Sequence, residues 1–131
     1  MLLALSGCPA EGDALPACID FDADACTPLF APTFEDVHEE VLAPRCGLAG
    51  GSCHGNPEAD GAENGLVITD ADATHSVLLD GFVEPGDPSC SLLMVRLNID
   101  DPDEVMPPGT QPLDESTRCS IAQWIAAGAE R

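Results

Sequence analysis

Seven cysteines in a chain of 131 residues constrain this sequence more than any other feature. Thiols at such density are kept as metal ligands in reducing compartments and are paired or modified in oxidising ones. An odd number also sets one cysteine apart from the rest.

The N-terminal run supplies a reason for the odd one. Met1-Leu-Leu-Ala-Leu-Ser-Gly-Cys8 is apolar and ends in Leu5-Ser6-Gly7-Cys8, which resembles a bacterial lipobox. Residues 1–8 then read as a residual lipoprotein signal peptide, with Cys8 lipidated. The expected location is the cell envelope, on a periplasmic or outer-membrane face, with membrane contact only through the lipid anchor. No other stretch approaches the ~20 apolar residues of a membrane span. Cys18, Cys26, Cys46, Cys53, Cys90 and Cys119 remain, an even set suited to pairing in an oxidising compartment.

Charge narrows the partners. Twenty-four acidic residues face four arginines and no lysine, a formal net charge of -20. Such a surface repels phosphate, so nucleic acid and anionic lipid headgroups are poor partners, and cationic proteins, divalent cations or simple solubility fit better.

Residues 9–31 read as an acidic, Pro-rich tether without helical period. Asp20, Asp22 and Asp24 alternate like calcium-loop ligands, but Ala25 replaces the turn glycine and Ala31 the bidentate glutamate, so they read as solvated acids. The domain, 32–131, opens at Thr33, an N-cap with Asp36 three residues on. Phe34, Val37 and Val41 share a helical face, and Pro44 is expected to stop the helix near Ala43. Gly-rich and polar loops follow, then a short helix capped by Asp70 or Asp72. Asp87 caps the next, with Pro88 in its first turn and Arg96 on its exposed side. A long acidic, Pro-rich loop over 98–112 leads to a last helix, Glu115 to Ala127, capped by Asp114 and ended at Gly128. The fold class is all-α: three to four short helices joined by long loops, with so little core that disulfides or a bound cofactor must supply part of the stability.

The order of the remaining features carries the chemistry. A capped helix leads to Cys46 and Cys53-His54-Gly55. Val83-Glu84-Pro85-Gly86-Asp87-Pro88 and Met106-Pro107-Pro108-Gly109 follow, and Trp124-Ile125-Ala126-Ala127-Gly128-Ala129 closes the chain. Over about residues 30–129 this resembles the class I cytochrome c-like domains of envelope lipoproteins in myxobacteria and planctomycetes. The resemblance implies a haem c cofactor, with His54 as proximal and Met106 as distal iron ligand and with thioether attachment at Cys46 and Cys53. It implies an electron-transfer lipoprotein that is not an enzyme and that serves a redox partner with a basic docking surface.

One departure stands beside it. Six residues separate Cys46 from Cys53, where a c-type haem motif has about two. A spacer holding Gly47, Gly50 and Gly51 can loop out. The same cysteines equally suit a disulfide, with Cys90–Cys119 and Cys18–Cys26 as further pairs. The chain would then be a haem-free, disulfide-stapled structural or interaction module. Zinc at Cys46, Cys53 and His54 is disfavoured by the same spacing. His38 reads as solvent-exposed, His75 as a capping or packing residue and Trp124 as core. No Ser, Cys or Lys stands beside a base in a nucleophile motif.

Overall fold

The computed structural model describes residues 15–47, 54–55, 58, 65–107 and 113–131. Cys8 and Cys53 lie outside these residues, as do the lipobox and the first part of the expected tether. Among the described residues every regular element is helical. The order is α1 (Phe34–Val37), a π-wound continuation (His38–Cys46), α2 (Ala71–Leu78), a 3₁₀ turn (Pro88–Cys90), α3 (Leu92–Asn98) and α4 (Glu115–Ala126).

Each start follows from local chemistry. The Thr33 hydroxyl accepts from the Asp36 N–H, the Asp70 carboxylate from Ala73 and the Asp87 carboxylate from Cys90. Each satisfies a backbone donor that the first turn leaves without a partner. α4 begins the same way, with Asp114 Oδ1 accepting from the Thr117 N–H at 2.8 Å. Its far end is a Schellman cap. Ala129 N–H reaches the Trp124 carbonyl at 3.0 Å and Gly128 N–H that of Ile125 at 2.9 Å, with Gly128 at φ 120°. A left-handed turn there favours the residue without a Cβ.

Pro44 does not stop the first helix. The chain widens into π geometry and runs on to Cys46, where Gly47 N–H donates to the Leu42 carbonyl five residues back at 2.7 Å. A proline ring clashes with the carbonyl four residues earlier in an α-helix and has no N–H to give. Opening the turn relieves the clash and keeps Val41 and Leu42 buried.

α4 is the central element and packs against α1, α3 and the 3₁₀ turn. Ile121, Ala122 and Ile125 are fully buried on it, and Trp124 nearly so. The Trp124 ring meets Phe34 at 5.2 Å and His75 at 6.2 Å. His75 also bonds the Ala129 carbonyl through Nε2 at 2.8 Å, so its place is structural.

The segment expected as a tether is, from residue 15 on, part of the folded body. Ile19 N–H donates to the Ser89 carbonyl at 2.8 Å, Gln123 Nε2 to the Ala23 carbonyl at 2.9 Å and Phe30 N–H to Ser120 Oγ at 3.0 Å. Two disulfides hold it there. They join Cys18 to Cys90 and Cys26 to Cys119, across 72 and 93 residues of sequence. The local Cys18–Cys26 pair and the Cys90–Cys119 bridge are therefore replaced by two long-range links. The physical reason is that each thiol of the extended segment lands on a different helical element of the body.

Replacing Cys26 and Cys119 together by alanine should lower stability by about 2–4 kcal/mol, read in urea unfolding, because so long a closed loop is released in the unfolded chain. Asp114 gives a second expectation. Bonds from the Thr117 side chain and backbone hold its carboxyl below the usual carboxylate range, outweighing the opposing effect of burial, with lesser help from Arg118 and Arg45. A depressed folded pKa contributes stability above the ordinary aspartate range near pH ~4 that fades as pH falls through the lower folded value. Asp114→Ala should cost about 1 kcal/mol at neutral pH and flatten the acid limb of a stability–pH curve.

Candidate functional site

Beside the core lies a cleft of about 460 Å³. Its volume falls inside the ~300–1,000 Å³ range of small-molecule and cofactor sites. Leu42, Arg45 and Cys46 line it from the π turn, and Leu66 and Ile68 from the extended segment beyond His54. Val77 and the Asp80–Phe82 turn form a second wall, Leu92, Leu93, Arg96 and Leu97 of α3 a third, and Met106 with Pro107 closes the circuit. The walls are mainly aliphatic, so the cleft favours an apolar occupant.

His54 is held in the cleft by a bond that settles its tautomer. Nδ1 lies 2.8 Å from the Leu66 carbonyl oxygen. A carbonyl can only accept, so Nδ1 carries the proton and the lone pair of the neutral ring is on Nε2. That is the arrangement of a metal-binding imidazole, with one nitrogen anchored to the backbone and the other left to coordinate.

The anchor is itself pinned. Ile68 N–H donates to the His54 carbonyl at 2.7 Å, and Thr69 N–H to Oγ1 of the buried Thr74 at 2.9 Å. Nε2 of His38 bonds the Thr69 carbonyl at 2.9 Å, which gives that half-buried residue a structural place beyond solvent exposure. The ring of His54 is thus oriented by a segment fastened at both ends.

The residues that flank the spacer, Cys46 and His54, are joined by their backbones. His54 N–H donates to the Cys46 carbonyl at 2.9 Å. Gly47 makes this approach feasible. A Cβ there would lie 2.8 Å from Ile68 Cγ2 and 3.1 Å from Ile68 Cβ.

Of the residues expected from the sequence, Cys46, His54 and Met106 line the same cleft. Cys46 and Met106 are half-buried in its walls. Cys53 lies outside the described residues, and Cys18, Cys26, Cys90 and Cys119 sit in the two disulfides away from the cleft lining. Arg96 is not on an exposed face: it is partly buried, lines the cleft and pairs with Glu104 at 2.7 Å. Leu66, whose carbonyl holds His54, carries no signal in its side chain. Arg45 and Arg96 carried one in retrospect, because they are two of only four basic residues in the chain and both face this cleft.

A family model described as Planctomycete cytochrome C matches residues 51–109, the stretch that runs from the spacer to just beyond Met106-Pro107. No curated protein and no solved structure matches the chain. With the helical architecture of the described residues, this match supports an all-α domain of cytochrome c-like type.

Gly47→Ala should lose about 1–3 kcal/mol of stability, since the new methyl must displace Ile68 from the wall behind His54. Calorimetry would read the loss, and the His54 ring resonances would shift with it.

Proposed function

We propose that the chain is a haem c-binding electron-transfer lipoprotein of the bacterial cell envelope, with no enzymatic step of its own, a reading supported by the family match over residues 51–109. The observation that carries the reading is His54, fixed by the Leu66 carbonyl in an aliphatic cleft that it shares with Met106. In this reading Nε2 of His54 is the proximal iron ligand and the Met106 thioether the distal one. Cys46 and Cys53 are the attachment points.

The cleft suits that cofactor on chemical grounds. Its aliphatic walls match a large apolar macrocycle. Arg45 gives the cleft lining of an otherwise strongly acidic chain a positive charge that would pair with a haem carboxylate. When bound, the haem supplies a reversible one-electron change at iron. The chain's own residues set the conditions. The Leu66 carbonyl strengthens His54 as a donor, the aliphatic walls exclude water, and a thioether ligand raises the reduction potential.

The remaining expectations join this proposal. Cys8 would carry the lipid that keeps the domain at the membrane. The acidic surface would steer a basic redox partner into contact, with association slowing as salt rises. No substrate is turned over.

The test is a visible spectrum of the chain expressed in a bacterial envelope together with haem-attachment machinery. A Soret band that survives acid-acetone extraction is expected. His54→Ala should abolish it, while Met106→Ala should leave it and lower the reduction potential. An uncoloured protein whose peptide map joins Cys46 to Cys53 would overturn the proposal and leave a haem-free, disulfide-stapled interaction module. The backbone bond between His54 and Cys46 would serve that module equally well.

A further inference from the structure

The loop that carries Met106 is fastened to α3 twice, and both fastenings end on Arg96. The Met106 N–H donates to the Arg96 carbonyl at 2.8 Å. The Arg96 guanidinium donates through Nη1 to Glu104 twice, to the carboxylate at 2.7 Å and to the backbone carbonyl at 3.0 Å. The two side chains are only 24% and 26% exposed. Between them the chain forms a tight turn, with the Glu104 and Val105 N–H groups both donating to the Asp101 carbonyl, at 3.0 and 2.9 Å. Val105 is buried beneath it.

We infer that the Arg96–Glu104 pair is a latch that positions Met106 on the wall of the cleft. The inference rests on the reading of Met106 as the distal ligand. A thioether has no hydrogen-bond donor and accepts only weakly, so side-chain polarity does little to locate it. Its position comes from its backbone, and the chain leading into Met106 hangs from Arg96. An exposed ion pair would contribute little to such a task. This pair is three-quarters buried, and one guanidinium nitrogen bridges a carboxylate and a carbonyl of the same residue, which fixes the turn as well as the charge. Arg96 and Glu104 are therefore positioning residues: neither needs to touch iron to decide whether Met106 can.

The experiment uses the full chain in two states with Glu104→Gln, Arg96→Gln and the conservative Arg96→Lys. In the haem-free chain, hydrogen exchange is read at the Met106 amide and, as a control for global folding, at Ile125 in α4. Exchange at Met106 should speed up on the order of tenfold or more in the two Gln variants, the equilibrium factor of one charge-assisted hydrogen bond. Ile125 should be unchanged, and Arg96→Lys should restore part of the protection. In the haem-loaded protein the Soret band should persist while the far-red absorbance of sulfur-to-iron ligation weakens in the same order of variants. Unchanged Met106 exchange and unchanged far-red absorbance in Glu104→Gln would overturn the latch. That variant decides alone should Arg96→Gln also expose Ile125. A wild-type chain that takes up no haem would sink the proposed function, and the Met106 exchange in the haem-free chain would still decide the latch.

Discussion

Two long-range disulfides set the terms on which this chain folds. The helices are short: α1 spans Phe34–Val37 and α3 Leu92–Asn98, too short to persist alone in water. Cys18–Cys90 and Cys26–Cys119 fasten an extended segment across the 3₁₀ turn and α4, where Ala23 becomes buried and Gln123 and Ser120 find backbone partners. The links act mainly on the unfolded chain, by forbidding most of its open conformations, so a modest aliphatic core suffices.

The cleft depends on that frame. Its walls come from the π turn, the segment after His54, α2, α3 and the loop before α4, and no single one of them encloses it. α4 contributes nothing to its lining, yet it holds α1 and α3 in place. Structural and site chemistry are thereby separated. The crosslinks and the Phe34–His75–Trp124 ring cluster stabilise the body, while His54 and Met106 stand in the cleft lining. His54 and His75 show the division: both bond a backbone carbonyl, but only His54 does so from the cleft wall.

Much of the secondary structure was legible because caps are local. Thr33, Asp70, Asp87, Asp114 and Gly128 each act on backbone groups within a few residues, so the sequence window contains both partners. The continuation through Pro44 was not legible in this way. Whether a proline ends a helix or widens it depends on what is gained by keeping Val41 and Leu42 in the core, and the core is built from distant residues. Arg96 misled for a similar reason. Its polar character argued for solvent, and only the turn at Asp101–Glu104 supplied a half-buried partner.

The sequence by itself determined the helical class, most helix starts, the residues of ligating type and their order along the chain, because these follow from side-chain chemistry and short-range spacing. The tertiary structure decided which cysteines pair, that residues 15–31 belong to the folded body, and that His54, Cys46 and Met106 line one cleft. It also decided the tautomer of His54, through a carbonyl twelve residues away. Those outcomes are contacts between segments far apart in the chain, and their geometry is fixed only when the core closes between them.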